Sequence, residues 1–197
     1  MRRSGALLAA AVAFAVTAGC APTSTLPQLV PAEEVPADVV ALAEATWQRF
    51  LAAVPARHGC LPDLGLETSR ELPDRGRYDP DRGVVTLRIP HTTPRLERTL
   101  VHEFAHHLEF ACPDHAELRP RFLVAEGYPA GTAWLAEPDG HAAAHGGSGA
   151  RAWAAIPSER WAETVVELVL GPGASNPFVP IDPDALDVVR TWAREPT

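Results

Sequence analysis

The sequence contains no lysine: all 17 of its basic residues are arginine, set against 25 acidic ones, for a formal net charge of −8. A chain this acidic lacks the basic face that phosphate backbones require, which argues against a nucleic-acid partner. Cysteine is scarce and odd in number, at 3. No apolar run approaches the roughly 20 residues of a transmembrane helix. Disorder is excluded by what is present, 46% hydrophobic and 21% charged residues. The 197 residues suffice for one core and are too few for two ordinary enzyme domains. With 20 prolines, long uninterrupted helices should be few.

Arg2 and Arg3 precede an uncharged apolar run from Ala6 to Val16, then Ala18, Gly19 and Cys20. That order reads as a secretory signal. Thr17-Ala18-Gly19-Cys20 resembles a bacterial lipobox, with Thr17 where Leu is usual. The resemblance implies a signal peptide over 1–19 and a lipidated Cys20 as mature N-terminus. The protein would then be a lipoprotein, exported and anchored at the cell membrane on the extracytoplasmic side of a bacterial envelope. With Cys20 so used, Cys60 and Cys112 remain as a pair, and outside the cytoplasm a disulfide between them is expected. The Pro-rich stretch 20–37 reads as a tether, and 38–197 as the folded domain.

Within that domain Val39, Ala43, Trp47, Phe50 and Val54 recur at helical spacing, predicting an amphipathic helix over 38–54. A short strand is expected at 64–68, a turn at 78–83, and the clearest strand at 84–89, β-branched and bounded by Gly83 and Pro90. Thr93 and Pro94 open a helix that stops before Pro113. Residues 114–136 hold one or two short helices, with Pro120 fitting a start and Gly127 a stop. Residues 137–157 read as a surface loop, Ser158 as the cap of a helix to about Leu170, and Asp182-Pro183 as the start of a last one. The fold class is α+β, mainly helical, with a small β-sheet preceding the 93–111 helix.

His102-Glu103-Phe104-Ala105-His106 is an HExxH motif on that helix. Residues i and i+4 share a face, so both imidazoles can hold one zinc ion. Glu103, one residue round, can act as general base toward a water activated there. The motif after a strand, in an exported chain, resembles the zincin superfamily of metallopeptidases. There the edge of the preceding strand binds extended peptide by strand addition, a position that 84–89 matches. The metzincin pattern needs Gly at 109 and His at 112, where this chain has Glu109 and Cys112. The gluzincin pattern instead takes a Glu from a second, downstream helix.

The 158–170 helix offers Glu159, Glu163 and Glu167. Arg160, Thr164 and Glu167 fall on the side read as facing water, Glu163 borders the apolar arc, and Glu159 points inward from the first turn. The string Glu159-Arg160-Trp161-Ala162-Glu163 resembles a Glu-x-aromatic-Ala-Glu signature of gluzincin-like peptidases, lethal-factor-type enzymes included, in which the second Glu is the ligand. The resemblance implies His102, His106 and Glu163 as zinc ligands. Glu159 is the next choice, or a hydrogen-bond partner to a ligating His. His107 points away from His106. Tyr78 or Tyr128 could serve as oxyanion donor, Trp134 and Trp153 could line a cleft or a core, and His141 and His145 form a loop pair. The expectation is a zinc-dependent metallopeptidase hydrolysing peptide or protein substrate at the envelope. The alternatives are a non-peptidase zinc amide hydrolase acting on cell wall, and a catalytically inactive zinc-binding lipoprotein.

Overall fold

The computed structural model describes residues 26–135 and 152–196. The expected signal peptide, the lipobox-like stretch with Cys20, and the His141/His145 pair lie outside the described residues. In chain order the elements are β1 (Leu29–Pro31), α1 (Ala37–Ala53), a 3-10 turn (Pro55–Cys60), β2 (Leu64–Ser69), β3 (Gly76–Asp79), β4 (Val84–Arg88), α2 (Thr93–Ala111), α3 (His115–Ala125), α4 (Pro157–Leu170) and α5 (Pro183–Arg194). This is the expected α+β architecture. The mixed sheet has the order β1-β2-β4-β3, with β1/β2 and β2/β4 parallel and β3/β4 antiparallel. No helix among the described residues is long and apolar enough to cross a membrane.

Several elements differ from expectation, each for a nonlocal reason. Residues 29–31, assigned above to the tether, are strand β1, pairing Leu29 with Leu64. Trp47 of α1 donates its indole N–H to the Pro27 carbonyl at 3.0 Å, and Val35 is buried, so the fold begins before residue 38. The prolines there sit on an edge strand and its flanks, where a missing N–H costs little. Tyr78 and Asp79, read as turn, close strand β3, and the turn follows. The Asp79 carboxylate accepts from the N–H groups of Asp81 and Arg82, and Gly83 ends it at φ 62°. Strand β4 consequently lies inside the sheet, and the edge strand beside α2 is β3. Pro120 falls inside α3 instead of starting it.

Helix α2 packs against α4, α1, β3 and β4. Its inward stripe of Leu100, Phe104 and Leu108 is fully buried. Trp47 meets Phe104 edge-on at 4.9 Å and stacks on Phe50 at 5.3 Å. Truncating a buried Phe of this kind costs about 3–5 kcal/mol. The expected disulfide joins Cys60 to Cys112, with Cα atoms 5.1 Å apart across a separation of 52 residues. It pins the 3-10 turn to the C-terminal end of α2, and chain entropy puts its contribution at about 4 kcal/mol.

Candidate metal centre

The rise of one helical turn sets His102 beside His106, the rings edge-on with centroids 4.8 Å apart. Their Nε2 atoms face each other at 3.2 Å. Helix α4 crosses α2 so that Glu159 Oε2 lies 3.0 Å from His102 Nε2 and 3.6 Å from His106 Nε2. Three donors each about 2.1 Å from a tetrahedral ion would stand about 3.4 Å apart. The three observed separations bracket that value, so the donor set fits a zinc-sized cation.

The structure gives Glu163 a different place from the one expected. Its Oε1 accepts from His102 Nδ1–H at 3.1 Å, on the far side of the ring from Glu159, and its Oε2 accepts from the Asn176 N–H at 2.5 Å. The two carboxylates, one turn apart on α4, therefore grip opposite nitrogens of one imidazole. Glu159 joins the donor cluster and Glu163 orients the ring. Fixing Nδ1–H in this way leaves the Nε2 lone pair for a metal.

His106 has the same kind of support, from a residue that sequence reading passed over. Glu109 Oε2 accepts from His106 Nδ1–H at 3.0 Å and from the Ser158 hydroxyl at 2.8 Å. Glu109 Oε1 accepts from the Trp134 indole N–H at 2.5 Å. Ser158, expected as a helix cap, spends its hydroxyl here. The i+3 spacing from His106 was the available signal. Cys112, the other metzincin position, is locked in the disulfide.

Electrostatics follow from this arrangement. Burial opposes the imidazolium of His102, but hydrogen bonds to Glu159 and Glu163 outweigh it and hold the ring at about 9. Burial likewise opposes charge on His106, and Glu109 and Glu159 raise it well above the usual range. Burial works against the anions of Glu159, Glu163 and Glu109, yet their His partners keep all three below ordinary carboxylate values. A compact cluster of buried carboxylates and two imidazoles is the charge balance a divalent cation completes.

Glu103 is buried beneath β3 and lines the same cleft, and burial pushes its carboxyl up. Gly76 makes that approach possible: a Cβ there would lie 2.8 Å from Glu103 Oε1 and 2.5 Å from Thr99 Cγ2. The cleft, about 870 Å³, is also walled by Tyr78, Trp153, Phe110 and Leu135. Trp153 stacks on His102 at 5.7 Å, whereas Trp134 belongs to the core.

Tyr78 donates its hydroxyl to His107 Nδ1 at 3.0 Å, while His107 Nε2–H donates to the Pro62 carbonyl at 3.2 Å. His107 is thus a buried strut and no ligand. Tyr128 donates to the Ala155 carbonyl at 2.9 Å. Both tyrosine hydroxyls expected as oxyanion donors are therefore engaged elsewhere. Thr164, expected to face water, is buried with its hydroxyl on the Arg160 carbonyl at 2.8 Å. No family model, no curated protein and no solved structure matches this chain.

Proposed function

We propose that this protein is a zinc-dependent hydrolase of peptide bonds, of the gluzincin type, in which His102, His106 and Glu159 hold the metal. The observation that carries the reading is the convergence of three donor atoms at 3.0, 3.2 and 3.6 Å, with each His fixed from behind by its own carboxylate. A zinc ion supplies Lewis acidity, polarising a carbonyl and making a water more acidic. Glu103 would take the proton of the water whose oxygen adds to the scissile carbonyl carbon, and would deliver it to the amine as the C–N bond breaks. The outer edge of β3, where the Tyr78 backbone already meets Glu103, leaves its other backbone groups to an extended peptide.

The Cys60–Cys112 disulfide accords with an oxidising compartment. Together with the lipobox resemblance at Cys20 it supports an exported, lipid-anchored lipoprotein. Fatty-acid labelling that disappears in Cys20→Ala checks the anchor.

The deciding experiment measures zinc per chain and hydrolysis of a quenched peptide library by the full chain, in wild type, Glu159→Ala and Glu103→Gln. About one zinc is expected in wild type. Glu159→Ala should lose it, and Glu103→Gln should keep it without turnover. Zinc binding with no peptide cleavage, but release of amide-linked cell-wall fragments, would replace the peptidase with a cell-wall amidase. Zinc binding with no turnover of either substrate would leave a binding lipoprotein.

A further inference from the structure

The HExxH stripe extends beyond the motif. Arg98, His102, His106 and Phe110 follow one another at intervals of four along α2, and all four line the cleft. Four residues advance a helix by about 6 Å. Arg98 therefore lies one turn before the first His and Phe110 one turn after the second. The two ends of the cleft differ accordingly. At the Phe110 end is Tyr78, its ring 6.1 Å from that of Phe110; Leu135 lines the same cleft, and with Phe110 46% and Leu135 45% exposed the cleft keeps apolar surface open.

At the Arg98 end are Arg75 and Arg88, which also line the cleft. None of these three arginines forms an ion pair with a carboxylate among the described residues. Arg88 donates to the Pro73 carbonyl at 3.0 Å, a neutral acceptor. The nearby Asp74 is paired with Arg77 at 3.3 Å. Burial, then Arg98, Arg95 and Arg88, hold the Arg75 guanidinium below its ordinary value, with Glu163 only partly offsetting them. Guanidinium groups gathered in this way repel one another, in a chain whose net charge is −8. An anion between them would relieve that repulsion, and the planar fork of Arg matches a carboxylate.

We infer that the cleft is polar along its length and selects substrates with a carboxylate bound by Arg75 and Arg98 on one side of the scissile bond and an apolar side chain against Phe110 and Leu135 on the other. An extended peptide advances about 3.4 Å per residue, so the carboxylate belongs within about two residues of the cut. It comes from an Asp or Glu side chain or from the peptide's own C-terminus. The inference rests on the hydrolase reading for its meaning, but the binding it specifies can be read without turnover.

The probes are quenched hexapeptides on an alanine scaffold with one Leu. Glu, Gln or Lys is scanned through the remaining positions, and each peptide is made as C-terminal acid and as amide. Cleavage is followed with the zinc-loaded full chain, and fluorescence anisotropy gives binding to the metal-free full chain. Glu should exceed Gln by about tenfold in kcat/KM and in affinity when it falls within two residues of the cut, the size of a charge-assisted hydrogen bond. An acid-over-amide ratio of the same size would assign the carboxylate to the C-terminus. The Glu preference should fall to about one in Arg98→Met and Arg75→Met, with zinc content retained as evidence of folding, and Arg98→Glu should favour Lys. Cleavage without charge preference overturns the inference and leaves the hydrolase standing, as does a preference that survives both Met variants. Charge-selective, arginine-dependent binding without cleavage does the reverse. Neither binding nor cleavage overturns both.

Discussion

Glu109 Oε2 lies 3.0 Å from Nδ1 of His106, three residues earlier on the same helix. Glu109 is fully enclosed and accepts from three donors, the His106 ring, the Ser158 hydroxyl and the Trp134 indole. A Gln there has one acceptor oxygen, so at least one of the three bonds is lost. Glu109→Gln should weaken zinc binding about 10–100-fold in a competition titration with a chelator. A folded variant with unchanged affinity would remove Glu109 from the metal centre.

The two carboxylates of α4 should separate by degree. Glu159→Ala removes a donor of the cluster and should cost more than about a hundredfold in zinc affinity, whereas Glu163→Ala frees the His102 ring and should cost about 10–100-fold. Isothermal titration of the two variants gives the ranking. The opposite order would return Glu163 to the position of third ligand.

Gly76→Ala places a methyl group 2.8 Å from Glu103 Oε1 and 2.5 Å from Thr99 Cγ2. Overpacking of this kind costs about 1–3 kcal/mol and turns the carboxylate away from the cleft. Zinc should remain, with peptide hydrolysis falling at least about tenfold, as expected of a displaced general base. Gly59→Ala serves as the control, since nothing lies within 4 Å of a Cβ there. Equal activity in both variants would sink the idea that β3 holds Glu103 in place.

His115 gives the fold a pH dependence of its own. It is walled by Trp161 at 4.5 Å, Trp134 at 5.3 Å and Trp192 at 5.7 Å, and its Nδ1 accepts from Arg119 Nε–H at 3.3 Å. Burial, with Arg119 and His106 adding to it against Glu109, drives its pKa from 6.5 down to about 3. Between those values the unfolded chain binds the proton and the folded one does not. Stability is therefore full above about pH 6.5 and is lost as pH falls toward 3, by a few kcal/mol in order of magnitude. The urea midpoint of wild type should fall relative to that of His115→Phe as the pH is lowered from 7 to 4. Parallel curves would mean that His115 does not carry this loss.

Local rules made part of this protein readable in one dimension. The helical repeat alone puts His102 and His106 on one face with Glu103 beside them, and Pro94 and Pro113 bracket that helix in the chain. The α+β class and the Cys60–Cys112 pair were legible for similarly short reasons, the periodicity of the segments and an odd count of cysteines. The choice between Glu159 and Glu163 was not legible, because both lie on the inward side of one helix, a turn apart. Only the crossing of α4 over α2 directs one to Nε2 of His102 and the other to Nδ1. Strands β1 and β3 escaped notice because three or four residues carry no pattern of their own. They are strands because Leu29 meets Leu64 and Tyr78 meets Val85 across the sheet. Glu109 sat in the right stripe, but its remaining partners come from positions 134 and 158, brought in by packing. Sequence determined which groups a single helix could present to a metal, since that depends on bonds four residues long. Tertiary structure decided which carboxylate joins the two imidazole Nε2 atoms and which strand edges the cleft, since those depend on contacts between segments far apart in the chain.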